Sequence, residues 1–303
     1  MKILDPQHNF LAAKEEATSY AKSDILIIPA PYEHTVSYGE GAQFGPEAIL
    51  DSSAYVEFYQ DEFDRELVFD KEIVTAEPID FGDKVDAEAL DLIYRKVKQG
   101  LQDGKFVVTL GGEHTISLAP IKAHFEKFPN MSILHFDAHS DLRDEYLDNK
   151  YSHACIFARV LDFFPPERLF QVGIRSQCIE ESRLIKEKGV NTFYASGVKR
   201  KLYGENWIDK MVAGMQDEVY VSFDVDYFDP SLMPATGTPE PDGFLFNDAL
   251  EIFRKMNEYG KRIIGFDVVE LAPMKGLTHP DVTVAELVYK MMNYAFKSED
   301  GNE

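Results

Sequence analysis

The chain has 303 residues, 45% of them hydrophobic, and its 53 acidic against 31 basic side chains leave a formal net charge of −22. Such an acidic chain argues against nucleic acid or anionic membrane as partners, because both demand cationic surfaces. It suits a small cationic ligand, and equally plain solubility. No stretch approaches the ~18 apolar residues of a membrane helix, and residues 1–10 lack the basic-then-apolar order of a secretory leader. The sequence therefore reads as a soluble cytoplasmic protein. Cys155 and Cys178 fit neither a disulfide framework nor a paired-thiol zinc site.

In chain order, short apolar runs alternate with amphipathic stretches, the pattern of βαβ units around a largely parallel sheet. The runs at 25–29, 106–110, 132–136, 169–172, 219–223 and 263–268 predict strands, with weaker candidates at 72–75 and 191–194. Leu90, Ile93, Val97 and Leu101 form a helical stripe with Gly104 as its stop, and Val284, Leu287, Val288, Met291 and Ala295 form another. No repeat, low-complexity block or long linker interrupts the chain, so residues 1–303 are expected to form one domain. Buried parallel strands read as continuous apolar runs, and ligands bind beyond their carboxyl ends. The residues just after each run are therefore the ones to read for chemistry.

The run at 106–110 leads into Gly111, Gly112, Glu113 and His114, where two glycines permit a tight turn that delivers His114 to the top of the sheet. The run at 132–136 leads into Asp137, His139 and Asp141, which share one face if the segment stays extended. Their two carboxylates would repel unless a cation sat between them. The run at 219–223 leads into Asp224 and Asp226, again at period two, whereas Asp229 precedes Pro230 and reads as a turn former. The set His114, Asp137, His139, Asp141, Asp224 and Asp226 exceeds what one tetrahedral zinc takes. It suits two hard or borderline divalent ions, whose charge balances the four carboxylates. Two ions about 3.5–4 Å apart can generate a hydroxide at neutral pH. Manganese fits the oxygen-rich set best, with nickel or cobalt still open.

These three segments occur in order with Pro234, Ala235, Thr236, Gly237, Thr238 and Pro239, with the glycine-rich loop at 41–46, and with Glu270 after the run at 263–268. Together they resemble the ureohydrolase family of arginases and agmatinases, over roughly residues 25–295. The resemblance implies a three-layer α/β/α sandwich around a mixed, mostly parallel eight-stranded sheet, a homotrimer or homohexamer, and a two-manganese site that hydrolyses guanidino groups to urea. It implies that His114, Asp137, Asp141 and Asp224 hold one ion, and that Asp137, His139, Asp224 and Asp226 hold the other. It also matches His153 to a proton-shuttling histidine, Glu270 to the partner of the substrate guanidinium, and Thr238 to a threonine beside the site. Asp141 would relay a proton to the departing amine. Each of the non-ligand positions also has a plainer reading, as a helix start, an ion-pair partner and a turn residue respectively. His8, His34, His124, His135 and His279 match no ligand position and read as structural.

Two departures bear on the substrate. Arginases carry Asn two residues after the last Asp of the D-x-H-x-D pattern, where this chain has Arg143. They carry Asp three residues after the Arg of a G-[LI]-R loop, where this chain has Cys178. L-Arginine is thereby disfavoured, and a small cationic guanidino substrate without a carboxylate is expected. Agmatine fits, giving putrescine and urea in polyamine biosynthesis, with Asp144, Glu145, Glu180 and Glu181 as candidates to attract its distal ammonium. The alternatives are N-aminopropylagmatine, a guanidino acid bound by Arg143, and an inactive metal-binding relative that acts as an interaction protein.

Overall fold

Each of the eight apolar runs becomes a strand in the computed structural model, which describes residues 1–13 and 19–296. The strands are β1 (Ile25–Ala30), β2 (Ile73–Thr75), β3 (Phe106–Gly111), β4 (Ser132–Phe136), β5 (Leu169–Ile174), β6 (Asn191–Tyr194), β7 (Glu218–Asp224) and β8 (Arg262–Val269). They form one sheet in the order β2-β1-β3-β8-β7-β4-β5-β6. Every pairing is parallel, so the sheet is not the mixed one that the resemblance implied. The physical reason is that long crossovers join the strands and no tight hairpin reverses the chain between neighbours.

Side chains leave the strands on alternating faces, and both faces are buried. Ile25 and Ile27 of β1, with Val219, Val221 and Phe223 of β7, belong to one apolar cluster that includes residues of the helices Phe246–Glu258 and His279–Ala295. Leu26 and Ile28 face the opposite layer, where the helix Asp86–Gln102 buries Leu90, Ile93, Val97 and Leu101. Both stripes read from the sequence thus cover the sheet, one on each side, giving the three-layer sandwich. Fully burying each Leu, Ile or Val contributes roughly 1.5–3 kcal/mol relative to exposure. Among the described residues no helix is long and apolar enough to cross a membrane.

The strand order positions the site. The chain builds β1, β2 and β3 on one side, crosses to β4, β5 and β6, and then returns to insert β7 and β8 between β3 and β4. The carboxyl ends of β3, β8, β7 and β4 therefore lie side by side at the switch in chain direction, where parallel α/β sheets bind ligands.

Gly265 lets the helix Leu118–Lys127 lie against β8, since a Cβ there would stand 2.2 Å from His124 Nε2. His124 is held by a contact of 2.7 Å between Nδ1 and the Pro120 carbonyl, and burial pulls its pKa down to about 4. Gly265→Ala is expected to destabilise the protein by about 1–3 kcal/mol through overpacking. A lowered thermal midpoint, followed by circular dichroism, is the outcome that checks it.

Candidate functional site

The local chain path brings the donors together. After β3 the backbone passes so close to Tyr32 that a Cβ on Gly112 would stand 2.1 Å from its carbonyl oxygen. The amides of Gly112 and Glu113 donate to the carbonyls of Ala30 and Tyr32, and His114 opens a short 3₁₀ turn, His114–Ser117. The segments after β4 and β7 are not extended, as the period-two reading assumed. In each, the first aspartate caps the amide two residues on: Asp137 Oδ1 accepts from His139 N at 2.5 Å, and Asp224 Oδ1 accepts from Asp226 N at 2.8 Å. Such Asx turns curl residues i and i+2 around one point. Asp141 (φ +53°) and Glu270 (φ +67°) occupy the left-handed region, uncommon for side-chain-bearing residues and costly unless the surroundings hold it.

His114 Nδ1 lies 3.1 Å from Asp137 Oδ2, 3.1 Å from Asp141 Oδ2 and 3.2 Å from Asp224 Oδ2. His139 Nδ1 lies 2.9 Å from Asp226 Oδ2 and 3.5 Å from Asp137 Oδ1. Asp137 thus faces both groups, one oxygen to each. All six expected donors converge, and His114 Nδ1 and Asp226 Oδ2 are buried without a hydrogen-bond partner. These atoms meet as lone pairs around a common centre. For an ion with octahedral ligand distances of about 2.1 Å, neighbouring donors stand about 3 Å apart, and the spacing around His114 fits that. The residues present therefore fit a pair of divalent ions.

Burial pushes Asp141 up to about 7 and drives Asp224 well above the usual carboxylate range, with Asp137 and Asp226 adding repulsion. Burial opposes charge on His114 and His139, but the surrounding carboxylates override it and raise both imidazoles. Bound cations reverse this pattern, keeping the carboxylates ionised and the imidazoles neutral.

Neighbours orient the donors. His135 Nε2 lies 2.8 Å from Asp137 Oδ2, while His135 Nδ1 accepts from Gln171 Nε2 at 3.1 Å. Burial pulls His135 down to about 4, so it is a neutral donor to Asp137. Ser222 Oγ stands 3.1 Å from His114 Nε2 and donates to Asp267 Oδ1 at 2.8 Å. Glu240 Oε1 lies 3.7 Å from His139 Nε2. The sequence reading missed these supports. For His135 the signal was present, since it stands two residues before Asp137, whereas Ser222 and Asp267 sat inside runs read as strands and Glu240 one residue past the segment 234–239.

A cavity of about 220 Å³ opens beside the cluster, lined among others by His139, Asp141, His153, Arg143 and Thr238. A second, much smaller cavity, which shares Ser37, His153 and Thr238 with the first, is lined by Glu113 and Glu270. His153 Nδ1 lies 3.2 Å from Thr35 Oγ1 and Nε2 3.3 Å from Ser37 Oγ. Burial, with the neighbouring His139, pulls His153 down to about 4, so it is neutral at neutral pH. Glu270 Oε1 accepts the His114 amide at 2.6 Å. Burial, opposed by that amide and reinforced by Glu113, holds Glu270 up at about 8. A cation bound beside this carboxylate restores its charge.

At the outer wall, the Arg143 guanidinium lies 4.8 Å from the centre of the Tyr146 ring, and its Nε is 3.8 Å from Glu181. Glu181 accepts from Ser140 Oγ, Leu142 N and Cys178 N, so it braces the donor loop against the start of the helix Ile179–Lys188. Cys178 caps that helix. Asp144 is engaged by Arg159 at 2.6 Å, and Glu145 and Glu180 are exposed, so Glu181 is the one of the four loop acids that lines the cavity. Asp229 accepts from Ser231 N at 3.0 Å, the turn role expected of it.

This sheet and this cluster define a metal-dependent α/β hydrolase of the ureohydrolase type. The Arginase family profile matches residues 23–293, and the chain belongs to the arginase family. It is 36% identical to the N(1)-aminopropylagmatine ureohydrolase of Synechocystis, over 94% of this chain and 93% of that protein. It is 35% identical to the agmatinase of Bacillus anthracis, over 88% of each chain. Among solved structures, the agmatine ureohydrolase of Thermoplasma volcanium superposes with a TM-score of 0.82 at 28% identity, over 92% of both chains.

Because Asp137 turns one oxygen to each donor group, Asp137→Asn is expected to cut metal content from about two ions per chain to below one. His139→Ala, on the second group only, is expected to leave about one. Elemental analysis of the purified variants after dialysis against the ion reads the difference.

Proposed function

We propose that this protein is a two-metal ureohydrolase that converts agmatine and water into putrescine and urea, in cytoplasmic polyamine biosynthesis. One observation carries the reading: His139 and Asp141 of the six-donor cluster and the buried carboxylate of Glu270 line neighbouring cavities that share Ser37, His153 and Thr238. We assign His114, Asp137, Asp141 and Asp224 to one ion and Asp137, His139, Asp224 and Asp226 to the other. Two ions so held, manganese first by the oxygen-rich donor set and nickel or cobalt as alternatives, would supply a water acidic enough to attack at neutral pH.

The chain's own residues supply the rest. Glu270 gives one oxygen to the His114 amide and keeps the other for the substrate guanidinium, which aims the carbon of that group at the cluster. Thr238 bounds the same space. Attack forms a C–O bond and the C–N bond to the alkyl chain then breaks. The attacking water gives up a proton to Asp141, which hands it on to the departing amine. His153, a neutral imidazole on the cavity wall, takes a proton and releases it to solvent.

Agmatine carries no carboxylate, and Arg143 is already engaged by Glu181 and Tyr146, which speaks against a guanidino acid in this cavity. N-Aminopropylagmatine is the second reading, favoured by the Synechocystis relative and by a Thermus thermophilus protein of the same described activity at 37% identity. The complete donor set speaks against an inactive binding protein. We take residues 1–303 as one domain, and the family resemblance supports a homotrimer or homohexamer, which light scattering measures directly.

The test is urea release from manganese-loaded protein given agmatine, N-aminopropylagmatine, L-arginine and guanidino acids at equal concentration. Urea from agmatine, with little from arginine or the acids, is expected. Preference for the aminopropyl compound would select the second reading, and urea from a guanidino acid alone would bring Arg143 into the substrate site. His153→Ala is expected to lower turnover about 10²-fold or more. Unchanged turnover across neutral pH would remove the shuttle role.

A further inference from the structure

Glu113 plays no part in the steps above, yet it is a buried carboxylate that lines the narrow end of the site. Several donors surround it, although the Glu270 carboxylate lines the same small cavity. Glu113 Oε2 accepts the amides of His34 at 2.9 Å and Thr35 at 2.7 Å, and Oε1 lies 3.0 Å from Thr35 Oγ1. Thr35 Oγ1 in turn accepts the backbone amide of His153 at 3.0 Å and lies 3.2 Å from His153 Nδ1. Glu113, Thr35 and His153 thus form one chain of contacts, though 78 and 118 residues separate its successive members.

A hydroxyl has a single hydrogen to donate. Thr35 must give it either to Glu113 Oε1 or to His153 Nδ1. The carboxylate oxygen is the nearer of the two, at 3.0 Å against 3.2 Å, and takes the hydrogen. The remaining lone pair of Thr35 Oγ1 then needs a donor, and the facing atom is His153 Nδ1.

We propose that Glu113 is a positioning residue that acts through Thr35 to hold His153 as the Nδ1–H tautomer, leaving Nε2 as the proton acceptor. Nε2 is the ring atom next to Ser37 on the cavity wall. The low pKa of His153 agrees with a ring that rests neutral and is chosen by tautomer. Exchanging the roles of the two nitrogens would leave a hydrogen where the lone pair is needed. This inference rests on the shuttle role given to His153 above, and its effect is confined to that step.

Three substitutions separate the links. Thr35→Val removes the hydroxyl at nearly constant shape, Thr35→Ser keeps it, and Glu113→Gln replaces one acceptor oxygen by an amide donor. In metal-loaded protein we expect Thr35→Val and Glu113→Gln to lower kcat about 10-fold or more, with KM within about 3-fold and metal content unchanged. Thr35→Ser is expected to stay within about 3-fold of the parent. In the His153→Ala background neither Thr35→Val nor Glu113→Gln should lower kcat further, because residues acting through one group are not additive.

Losses that persist in the His153→Ala background would show a general structural role and overturn the proposal, as would unchanged kcat in Thr35→Val. If His153→Ala itself leaves kcat intact, the shuttle reading and the positioning role fall together, whereas a loss in His153→Ala with none in Thr35→Val overturns the positioning role alone. A readout independent of turnover is the ¹⁵N spectrum of histidine-labelled protein loaded with zinc. Nδ1 of His153 should appear protonated in the parent and lose that preference in Glu113→Gln; the reversed tautomer in the parent would overturn the proposal.

Discussion

Four aspartates whose carboxylates converge in a buried space are the constraint on which the rest of the structure depends. Burial and mutual repulsion drive three of them, Asp141, Asp224 and Asp226, above the usual carboxylate range. Nothing in an apolar core rewards that arrangement. It is sustained by an extensive scaffold: backbone amides at Asp137, Asp224 and Asp226, a neutral His135, and backbone held in left-handed conformations at Asp141 and Glu270. Divalent ions match it in charge, in donor type and in the spacing of its lone pairs.

The cluster depends in turn on strand order. The six donors come from three strand ends, and Glu270 from a fourth, and these four strands are adjacent only because β7 and β8 enter between β3 and β4. The outer wall is organised separately. Glu181 ties the donor loop to a helix start and lies beside Arg143, so a single buried carboxylate supports both the donor loop and the outer wall of the cavity.

Much of this was legible in the sequence because the signals are local. Each strand is a contiguous apolar run, and the donors follow directly after it. The period-two spacing grouped Asp137 with His139, and Asp224 with Asp226, correctly but for another reason: the segments curl in Asx turns rather than extend. What escaped was set by partners distant in sequence. Glu113 meets Thr35, His114 meets Ser222, and His139 meets Glu240, and no periodicity relates those positions. The role of Glu181 escaped for a different reason. An acidic residue in a polar stretch looks like a solvated charge until the fold places Ser140 and Leu142 against it.

The late entry of β7 and β8 has a consequence for how the protein comes into being. While the chain is being synthesised, β1–β3 and β4–β6 can form as two half-sheets, but the edges of β3 and β4 stay open until residues beyond 260 have emerged. Long-range pairing of this kind is the slow part of folding and the part most exposed to aggregation. The growing chain carries the first donors early, yet His114 after β3 stays apart from the aspartates after β4. Asp224 and Asp226 complete the cluster only when β7 is seated, and Glu270 follows with β8. The donors from separate strand ends thus converge only among the last steps of folding, when the two central strands are seated.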